Sequence, residues 1–339
     1  MTHIISISEA HRLCVNALQA HGASREQAES VAKSLVEAEL QGKPALGISH
    51  LFDYLNALRE GRVDGRAKPR VTRTTPVLFM VDSCGGFPHT GVDRVFSEFL
   101  DTAQTQGIAA LGLKNGYTCG ELGYLPRRLA EHGLLGLAAA NGGPAMLASS
   151  GSTTPVFCTN PMAFAVPSKQ GPPLVIDQSS SSTAFVSLRR AAEQGDPIPE
   201  GWALDSNGQP TRSPSEALKG VLLAFGGERG ANIALIVEVL AAGVTGANWS
   251  LDAPSFGSGD QCPAVGLLLL ALNADLLLGD DFAARADRYF QTITTKHKTH
   301  LPGIHRGIEA EHRIKKGLEI PESLLQRMQE SCRIQDPVK

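Results

Sequence analysis

The stretch with the most groups able to bind a ligand is residues 155–184, PVFCTNPMAFAVPSKQGPPLVIDQSSSSTA. It contains two short apolar runs, Met162–Val166 and 174–176, each too short for a helix and each followed by polar residues. Asp177 follows the second run, and the serine hydroxyls at 179–182 could donate to a phosphate or a carboxylate. These residues allow two interpretations: an edge hairpin with a plain serine-rich loop, or the floor of a cofactor and substrate site.

The motifs of the common nucleotide and zinc sites are absent from the sequence. It contains neither G-x-G-x-x-G nor G-x-x-x-x-G-K-[ST], the glycine-rich loops that let a backbone approach phosphates, nor H-E-x-x-H. His297, His300 and His305 are close in sequence, but no cysteine or carboxylate stands at ligand spacing beside them. We therefore expect a solvated segment there and no metal.

Charge and cysteine usage restrict the partners and the compartment. The 31 Lys+Arg against 34 Asp+Glu give a formal net charge of −3, so no sequence-wide basic field favours nucleic acid or an anionic membrane. The six cysteines are scattered without a C-x-x-C pair, as is typical of reduced thiols. The first residues lack the pattern of a signal peptide, and the longest apolar stretch, Val265–Leu272, is too short to cross a bilayer. We expect a cytoplasmic protein that binds small molecules or copies of itself.

The elements that must position these residues follow an α/β pattern. Ser24 and Gln27 form a predicted capping box, and a later apolar stripe leaves Ser49, His50 and Asp53 off the buried side of a third helix. Helices are predicted at about 8–21, 24–41, 47–59, 92–103, 121–132, 230–242, 280–294 and 321–329. Strands are predicted at 77–81, 108–113, 135–139, 162–166, 174–176 and 265–272, with a loop at 198–214.

Several short motifs, in order along the chain, carry a resemblance to a known family. They are Cys158-Thr159-Asn160-Pro161 before an apolar strand, Asp177 before small residues, Ile198-Pro199-Glu200-Gly201-Trp202, Gly226-Gly227-x-Arg229-Gly230 before an apolar helix, and Leu301-Pro302-Gly303. From about residue 8 to 330 the chain resembles the malate/L-lactate dehydrogenase family, which lacks a Rossmann fold. The resemblance implies an NAD(P)H-dependent reductase of 2-oxo acids or cyclic imino acids.

The resemblance also implies an architecture. The expected fold class is α/β, a non-Rossmann malate/L-lactate dehydrogenase-like fold with a mixed sheet and a lobe of N- and C-terminal helices. Residues 1–72 with 295–339 would form the helical lobe, and residues 73–294 the mixed α/β region that binds cofactor and substrate. The family implies a homodimer without metal that uses NADPH or NADH and a small carboxylated substrate.

Cofactor contacts are expected from the loop at 117–121, from residues 155–184, and from the two later motifs at 226–230 and 301–303. By resemblance they are Tyr117, Thr118, Cys119, Gly120, Glu121, Thr159, Asp177, Gln178, Ser179, Arg229, Gly230, Pro302 and Gly303. Arg229 stands where the family tends to carry Lys, which keeps a cation there. Residues 115–120 lack the two histidines and the phenylalanine that the family often has there, although the backbone amides of this loop can still bind phosphate.

The catalytic pair of the family is displaced in this chain. Its Ser-His pair aligns with Ala45 and Leu46, and its substrate-binding Arg aligns with His50. Ser49-His50 repeats the dipeptide one turn later, and positions 46 and 50 share a helix face. We assign Ser49 and His50 as the catalytic candidates. Three interpretations of His50 stay open: a displaced proton donor, a carboxylate binder in place of the Arg, or an exposed helix histidine.

The missing acid bears on the substrate. Reducing a ketone leaves an alkoxide that needs a general acid, whereas a cyclic imine can enter already protonated. The sequence thus favours reduction of a small cyclic imine of the pyrroline-2-carboxylate or piperideine-2-carboxylate type. A 2-hydroxy acid dehydrogenase acting on malate-like or lactate-like substrates and a non-catalytic ligand-binding homologue are the alternatives.

Overall fold

A computed structural model of the chain describes residues 1–333. The strands are β1 Thr2–Ile5, β2 Arg70–Thr75, β3 Leu78–Asp82, β4 Ile108–Gly116, β5 Leu135–Ala140, β6 Leu147–Ala148, β7 Pro155–Phe157, β8 Met162–Val166, β9 Leu174–Gln178, β10 Ala203–Leu204, β11 Val221–Leu222, β12 Val265–Leu272 and β13 Leu318–Pro321. The helices are α1 Ile7–Ala20, α2 Arg25–Leu40, α3 Leu51–Arg59, α4 Pro88–Gln106, α5 Tyr124–Ala130, α6 Phe185–Gln194, α7 Pro214–Ala217, α8 Glu228–Glu238, α9 Ala274–Leu278, α10 Phe282–Thr295, α11 Ile304–Lys316 and α12 Glu322–Ser331. Each of these helices is too short or too polar to traverse a bilayer.

A seven-stranded mixed sheet is the centre of the molecule. Its order is β2-β3-β4-β12-β5-β8-β9, with β3 and β4 parallel and the other neighbours antiparallel. The predicted strand Val265–Leu272 is confirmed as β12 and lies in the middle, where both faces are covered and a continuous apolar run is favoured. The predicted mixed α/β class is confirmed.

Residues 155–184 supply the strands β8 and β9 at one edge of that sheet. β8 matches the predicted Met162–Val166, and β9 continues two residues beyond the predicted 174–176, to Gln178. The two strands pair antiparallel, with Ala163 opposite Asp177. Asp177 therefore belongs to a strand and is held by a ladder, which fixes its position better than a loop would.

The N-terminal helices show how local sequence positions the site. Ser24 caps α2 by accepting from Gln27 N at 3.3 Å, but the Gln27 amide donates to Asp64 O and Ala67 O, so only half of the capping box forms. The predicted third helix starts as a 3₁₀ turn, Ile48–His50, before α3. The turn is tight because Gly47 packs on Glu39, whose Oε2 would be 2.4 Å from an added Cβ.

Three predictions need correction. The helix predicted at 121–132 begins only at Tyr124, which leaves Glu121 in the preceding loop. The helix predicted at 230–242 spans Glu228–Glu238 and continues as a wider π turn, Val239–Gly243. The loop predicted at 198–214 contains the two-residue strand β10, which pairs with β11 in a second sheet of order β10-β11-β6-β7.

The buried residues form separate clusters. One joins α1, α2 and α3 to the C-terminal segment through Ala310, Leu318, Ile320 and Met328. β1 and β13 pair antiparallel and tie the two ends of the chain together. A second cluster covers the large sheet with α4 and α5. The division into two lobes stays a prediction, and residues 334–339 of the predicted helical lobe lie outside the described residues.

Candidate active site

A cavity of about 580 Å³ opens between the N-terminal helices, the large sheet and α6. Of the predicted site residues, it brings together His50, Tyr117, Thr118, Cys119, Gly120, Thr159, Asp177, Gln178 and Ser179. These residues are contributed by the segments after α2, after β4, after β7 and at the end of β9. Residues more than a hundred positions apart thus converge on one space of the size that usually holds a small ligand.

The loop after β4 forms one wall, and its phenol is already engaged. Tyr117 is buried, donates from its hydroxyl to Phe256 O at 2.7 Å and accepts from Arg62 Nη1 at 3.0 Å. Burial raises the pKa of Tyr117 to about 12. Burial also raises the pKa of Cys119 to about 12, so this thiol contributes a small apolar surface and no nucleophile.

His50 faces the cavity with a carboxylate behind it. His50 Nδ1 lies 2.8 Å from Asp53 Oδ2, and Arg189 Nη2 lies 3.3 Å from the same oxygen. Burial would raise the pKa of Asp53, but the hydrogen bond and charge of His50, with Arg189, hold it below its ordinary value. An ionised Asp53 accepts from the Nδ1–H of His50, which leaves Nε2 available for proton exchange. Ser49 is exposed and does not line the cavity.

A cluster of five charged side chains lies at the other end of the cavity. We call it the Asp177 cluster: Asp177, Lys43, Glu121, Arg127 and Glu37. Lys43 Nζ is 2.6 Å from Asp177 and 2.8 Å from Glu121, and Arg127 binds Glu121 at 2.6 Å and Glu37 at 3.2 Å. Burial would raise the pKa of Glu121, but Arg127 and Lys43 hold it below its ordinary value. All three carboxylates are in direct contact with a cation.

A second cavity of about 450 Å³ adjoins the first. The two share the lining residues Lys43, Asp177, Gln178 and Arg306. The predicted Pro302 and Gly303 lie here, at the start of α11. Gly303 has φ +77°, and a Cβ there would be 2.4 Å from Val175 O, so this close approach to β9 requires glycine. The second cavity extends the site along the edge of the sheet.

Thr159 is held by a buried polar network. The next residue, Asn160, has φ +39° and donates from Nδ2 to Ala234 O at 2.9 Å and to Glu238 Oε2 at 2.7 Å. Ser180, two residues after the end of β9, donates from its N–H to Thr159 O and from its hydroxyl to Asn160 O. The network connects α8 to the cavity and fixes Thr159 and the neighbouring Ser179 relative to each other.

Three predicted cofactor residues lie elsewhere. Arg229 is exposed at the start of α8, and Gly230 is buried against Phe225 O. Neither lines the two cavities described above. Glu121 does not line them either and acts through Lys43 and Arg127. The roles given to all of these residues, and to those inside the cavities, stay predictions.

The polar and aromatic contributors to the site that sequence reasoning missed include Lys43, Arg62, Arg189 and Phe256. Lys43 precedes the Pro44-Ala45-Leu46 segment already aligned with the catalytic pair, so its proximity to that segment was a usable signal. Arg62, Arg189 and Phe256 depend on contacts across more than 50 residues, such as Arg62 to Tyr117 and Arg189 to Asp53. No local pattern marks them.

A mixed sheet with one parallel pair, β3 and β4, differs from the parallel sheet of a Rossmann fold, and a ligand-sized cavity bordered by a His–Asp pair and a charge cluster is typical of an α/β enzyme. The sequence profile of malate/L-lactate dehydrogenase matches residues 5–329, so the chain belongs to the malate/L-lactate dehydrogenase family. It is accordingly an oxidoreductase, which confirms the predicted enzyme class.

The relatives include both dehydrogenases and reductases. The chain is 35% identical over 329 residues to a (2R)-3-sulfolactate dehydrogenase (NADP(+)) of Chromohalobacter salexigens, covering 97% of this chain and 98% of that protein. It is 33% identical over 312 residues to a Delta(1)-pyrroline-2-carboxylate/Delta(1)-piperideine-2-carboxylate reductase of Pseudomonas syringae pv. tomato, covering 91% of each. The crystal structure of delta1-piperideine-2-carboxylate reductase from the same organism superposes with a TM-score of 0.93 at 32% identity, covering 97% of this chain and 100% of that one.

Proposed function

We propose that the chain reduces the C=N bond of a small cyclic imine carrying a 2-carboxylate, of the pyrroline-2-carboxylate or piperideine-2-carboxylate type. The observation that carries the proposal is at residues 45 and 46. By the resemblance, the family's Ser-His pair aligns with Ala45 and Leu46, and these two residues line the cavity with hydrocarbon side chains that carry no proton donor. A protonated imine accepts hydride without a proton donor, while a ketone needs one. The names of several relatives support the same substrate class.

The cofactor of this proposal is NADPH or NADH, and the residues present fit it. Two adjoining cavities of about 580 and 450 Å³ offer room for a two-part ligand. The second is lined by His300, His305 and Arg306, whose ring and guanidinium nitrogens can donate hydrogen bonds to phosphate groups. Thr159 and Ser179 would hold the end of the cofactor that carries the nicotinamide ring, and Pro302 and Gly303 would hold its other end. The dihydronicotinamide supplies the hydride when bound.

A second candidate function is that of a 2-hydroxy acid dehydrogenase. The observation that favours it is the His50–Asp53 pair, in which a carboxylate orients an imidazole at the cavity wall. Such a pair supplies the general acid that ketone reduction requires. In this function His50 gives a proton to the carbonyl oxygen as hydride reaches C2, and Arg189 keeps Asp53 ionised. The sulfolactate dehydrogenase relative is consistent with this candidate.

The test is cofactor oxidation, followed by absorbance at neutral pH with a panel of cyclic 2-imino acids and 2-oxo acids. We expect turnover of the imines with NADPH or NADH. In the His50→Ala variant we expect the imine rate to persist with a raised KM, because His50 then serves only in binding. The exposed α11 residue His312 provides the matched control, His312→Ala.

Two outcomes would contradict the proposal. If oxo acids are the better substrates and His50→Ala nearly abolishes their reduction, the chain is a 2-hydroxy acid dehydrogenase. If no member of the panel oxidises either cofactor, the chain is a non-catalytic ligand-binding homologue.

We further propose that the enzyme is a cytoplasmic homodimer. All six cysteines are free in the structure, which suits a reducing compartment. Six large apolar side chains between residues 235 and 251 are exposed, which supports self-association, since exposed apolar side chains grouped in one region favour a protein interface.

A further inference from the structure

The charge balance of the Asp177 cluster is unusual for a site that takes an anionic substrate. Three carboxylates, Glu37, Glu121 and Asp177, face two cations, Lys43 and Arg127, which leaves one net negative charge. Arg306 also lines both cavities, but it is exposed to water, which screens its charge. The buried end of the cavity is therefore short of one positive charge.

Two carboxylates of the same cluster have oxygens that could accept a further hydrogen bond. Glu121 is fully buried, and within residues 1–333 its Oε2 has no hydrogen-bond partner. Asp177 lines both cavities, and in the same part of the chain its only side-chain partner is Lys43, on Oδ2. Glu121 does not line the cavities, so the carboxylate open to a ligand is that of Asp177, and the net negative charge of the cluster behind it favours a ligand that supplies an N–H and a positive charge.

The opposite end of the cavity has more positively than negatively charged side chains. His50, Arg189 and Arg190 line it, and Asp53 is the only carboxylate in contact with them among residues 1–333. One loop connects the two ends: a Cβ on Gly120 would be 3.8 Å from His50 Cδ2, and a Cβ on Gly123 would be 3.1 Å from Asp177 Oδ2. Three residue steps span at most about 11 Å, so both ends face the same small space.

We propose that the Asp177 cluster is the subsite for a positively charged ring nitrogen, and that the cavity binds its substrate as an iminium carboxylate zwitterion. The substrate carboxylate lies toward His50 and Arg189, and the ring N–H donates to Asp177. This inference deepens the proposed function and rests on it, since it specifies the protonation state of the same imine.

The reaction balances without a protein acid. C2 accepts the hydride from the dihydronicotinamide, the π pair of the C=N bond moves onto nitrogen, and the positive charge there is neutralised while the N–H stays. Asp177 and Glu121 therefore stabilise the substrate cation before hydride transfer. The same cluster disfavours a 2-oxo acid, because the π pair then moves onto an oxygen that would face these carboxylates.

The test compares two ligands of the same shape by calorimetry: pyrrolidine-2-carboxylate, which is protonated on its ring nitrogen at neutral pH, and cyclopentanecarboxylate, which has no nitrogen. For the unmodified protein with saturating cofactor we expect the nitrogen ring to bind at least about tenfold more tightly. Asp177→Asn should abolish that preference. The matched control is Asp281→Asn, because Asp281 pairs with Lys169 at the surface, away from the cavity.

A second variant tests the sign of the effect. Lys43→Met removes a cation from the cluster and makes it more negative, so the preference for the nitrogen ring should be kept or increased. Equal binding of the two ligands to the unmodified protein, or a preference that survives Asp177→Asn, would overturn the inference. Either result is compatible with imine turnover in the substrate panel, so it would leave the proposed function standing. A protein that prefers the nitrogen ring but turns over no imine would refute the function alone.

Discussion

Burial in the fold shifts the protonation of His89. This histidine lies buried under the Tyr117–Gly123 loop, with Nε2 3.0 Å from Cys119 O and no partner for Nδ1 within residues 1–333. Burial is the main cause that lowers the pKa of His89 from 6.5 to about 4, against the attraction of Asp93. The folded protein thus keeps a neutral imidazole under the wall of the cavity through the mildly acidic range.

The lowered pKa predicts a loss of stability in mild acid. Between pH 6.5 and 4 the unfolded chain binds a proton at His89 that the folded chain does not. The free energy of unfolding therefore decreases as the pH is lowered through this window. We expect this residue to contribute a loss of about 2 kcal/mol between pH 7.5 and 5. Urea unfolding of the unmodified protein and His89→Gln at both pH values measures it. His312→Gln, at an exposed histidine, is the control. An identical pH dependence in all three proteins would rule the mechanism out.

At the scale of elements, the loop Tyr117–Gly123 connects the two ends of the cavity. Its shape depends on Gly120, which has φ +63° and packs so closely that a Cβ would be 2.9 Å from Tyr54 OH. Tyr54 also contacts the ring of His50 edge-on at 4.5 Å. The conformation of this one glycine therefore sets the distance between the loop and the catalytic candidate.

Gly120→Ala tests this dependence. The left-handed conformation costs an L-residue about 1–2 kcal/mol, and the contact with Tyr54 adds displacement of the loop. We expect kcat/KM to fall at least about tenfold, since small misplacements in a site carry large rate costs. Gly133→Ala separates strain from position, because Gly133 has φ +82° with nothing within 4 Å of an added Cβ. It should lose similar stability and keep its kcat/KM. Equal activities of the two variants would contradict the argument.

Elements with strong local signals were predictable from the sequence. β8 and β12 have the predicted bounds because continuous apolar runs mark buried strands, and α2 begins after Ser24 because a serine cap leaves a local signature. The two-residue strands β10 and β11 were not predictable, since a periodicity needs more residues than they contain. Their pairing depends on the sheet around them.

The contacts of the candidate site were likewise predictable only where they are local in sequence. His50 and Asp53 are three residues apart on one helical segment, so their contact follows from helix geometry. Lys43 and Asp177 are 134 residues apart, and Glu121 joins them only because the loop after β4 crosses the end of β9. Charge pairing of this kind depends on the tertiary fold. The ionic environment of the site was therefore visible only in three dimensions.

At the scale of the whole molecule, α8 and the segment after it expose a group of large apolar side chains. The face of α8 and the segment after it expose Leu235, Ile236, Val239, Val244, Trp249 and Leu251, with Leu251 68% exposed. The same helix contributes Ala234 O and Glu238 to the network that holds Asn160 beside Thr159. A partner packed on this face would therefore brace the back of the candidate active site.

The proposed homodimer predicts that this face is its interface. Ile236→Glu with Leu251→Glu places two charges on the surface, and burying them unpaired would cost several kcal/mol. We expect the unmodified protein to sediment as a dimer and the double variant as a monomer with lower activity, because α8 then lacks its support. The control is Leu277→Glu, at a residue 74% exposed on α9, on another part of the surface. It should stay dimeric and active. A monomeric unmodified protein would exclude the dimer, and a double variant that remains dimeric would place the interface elsewhere.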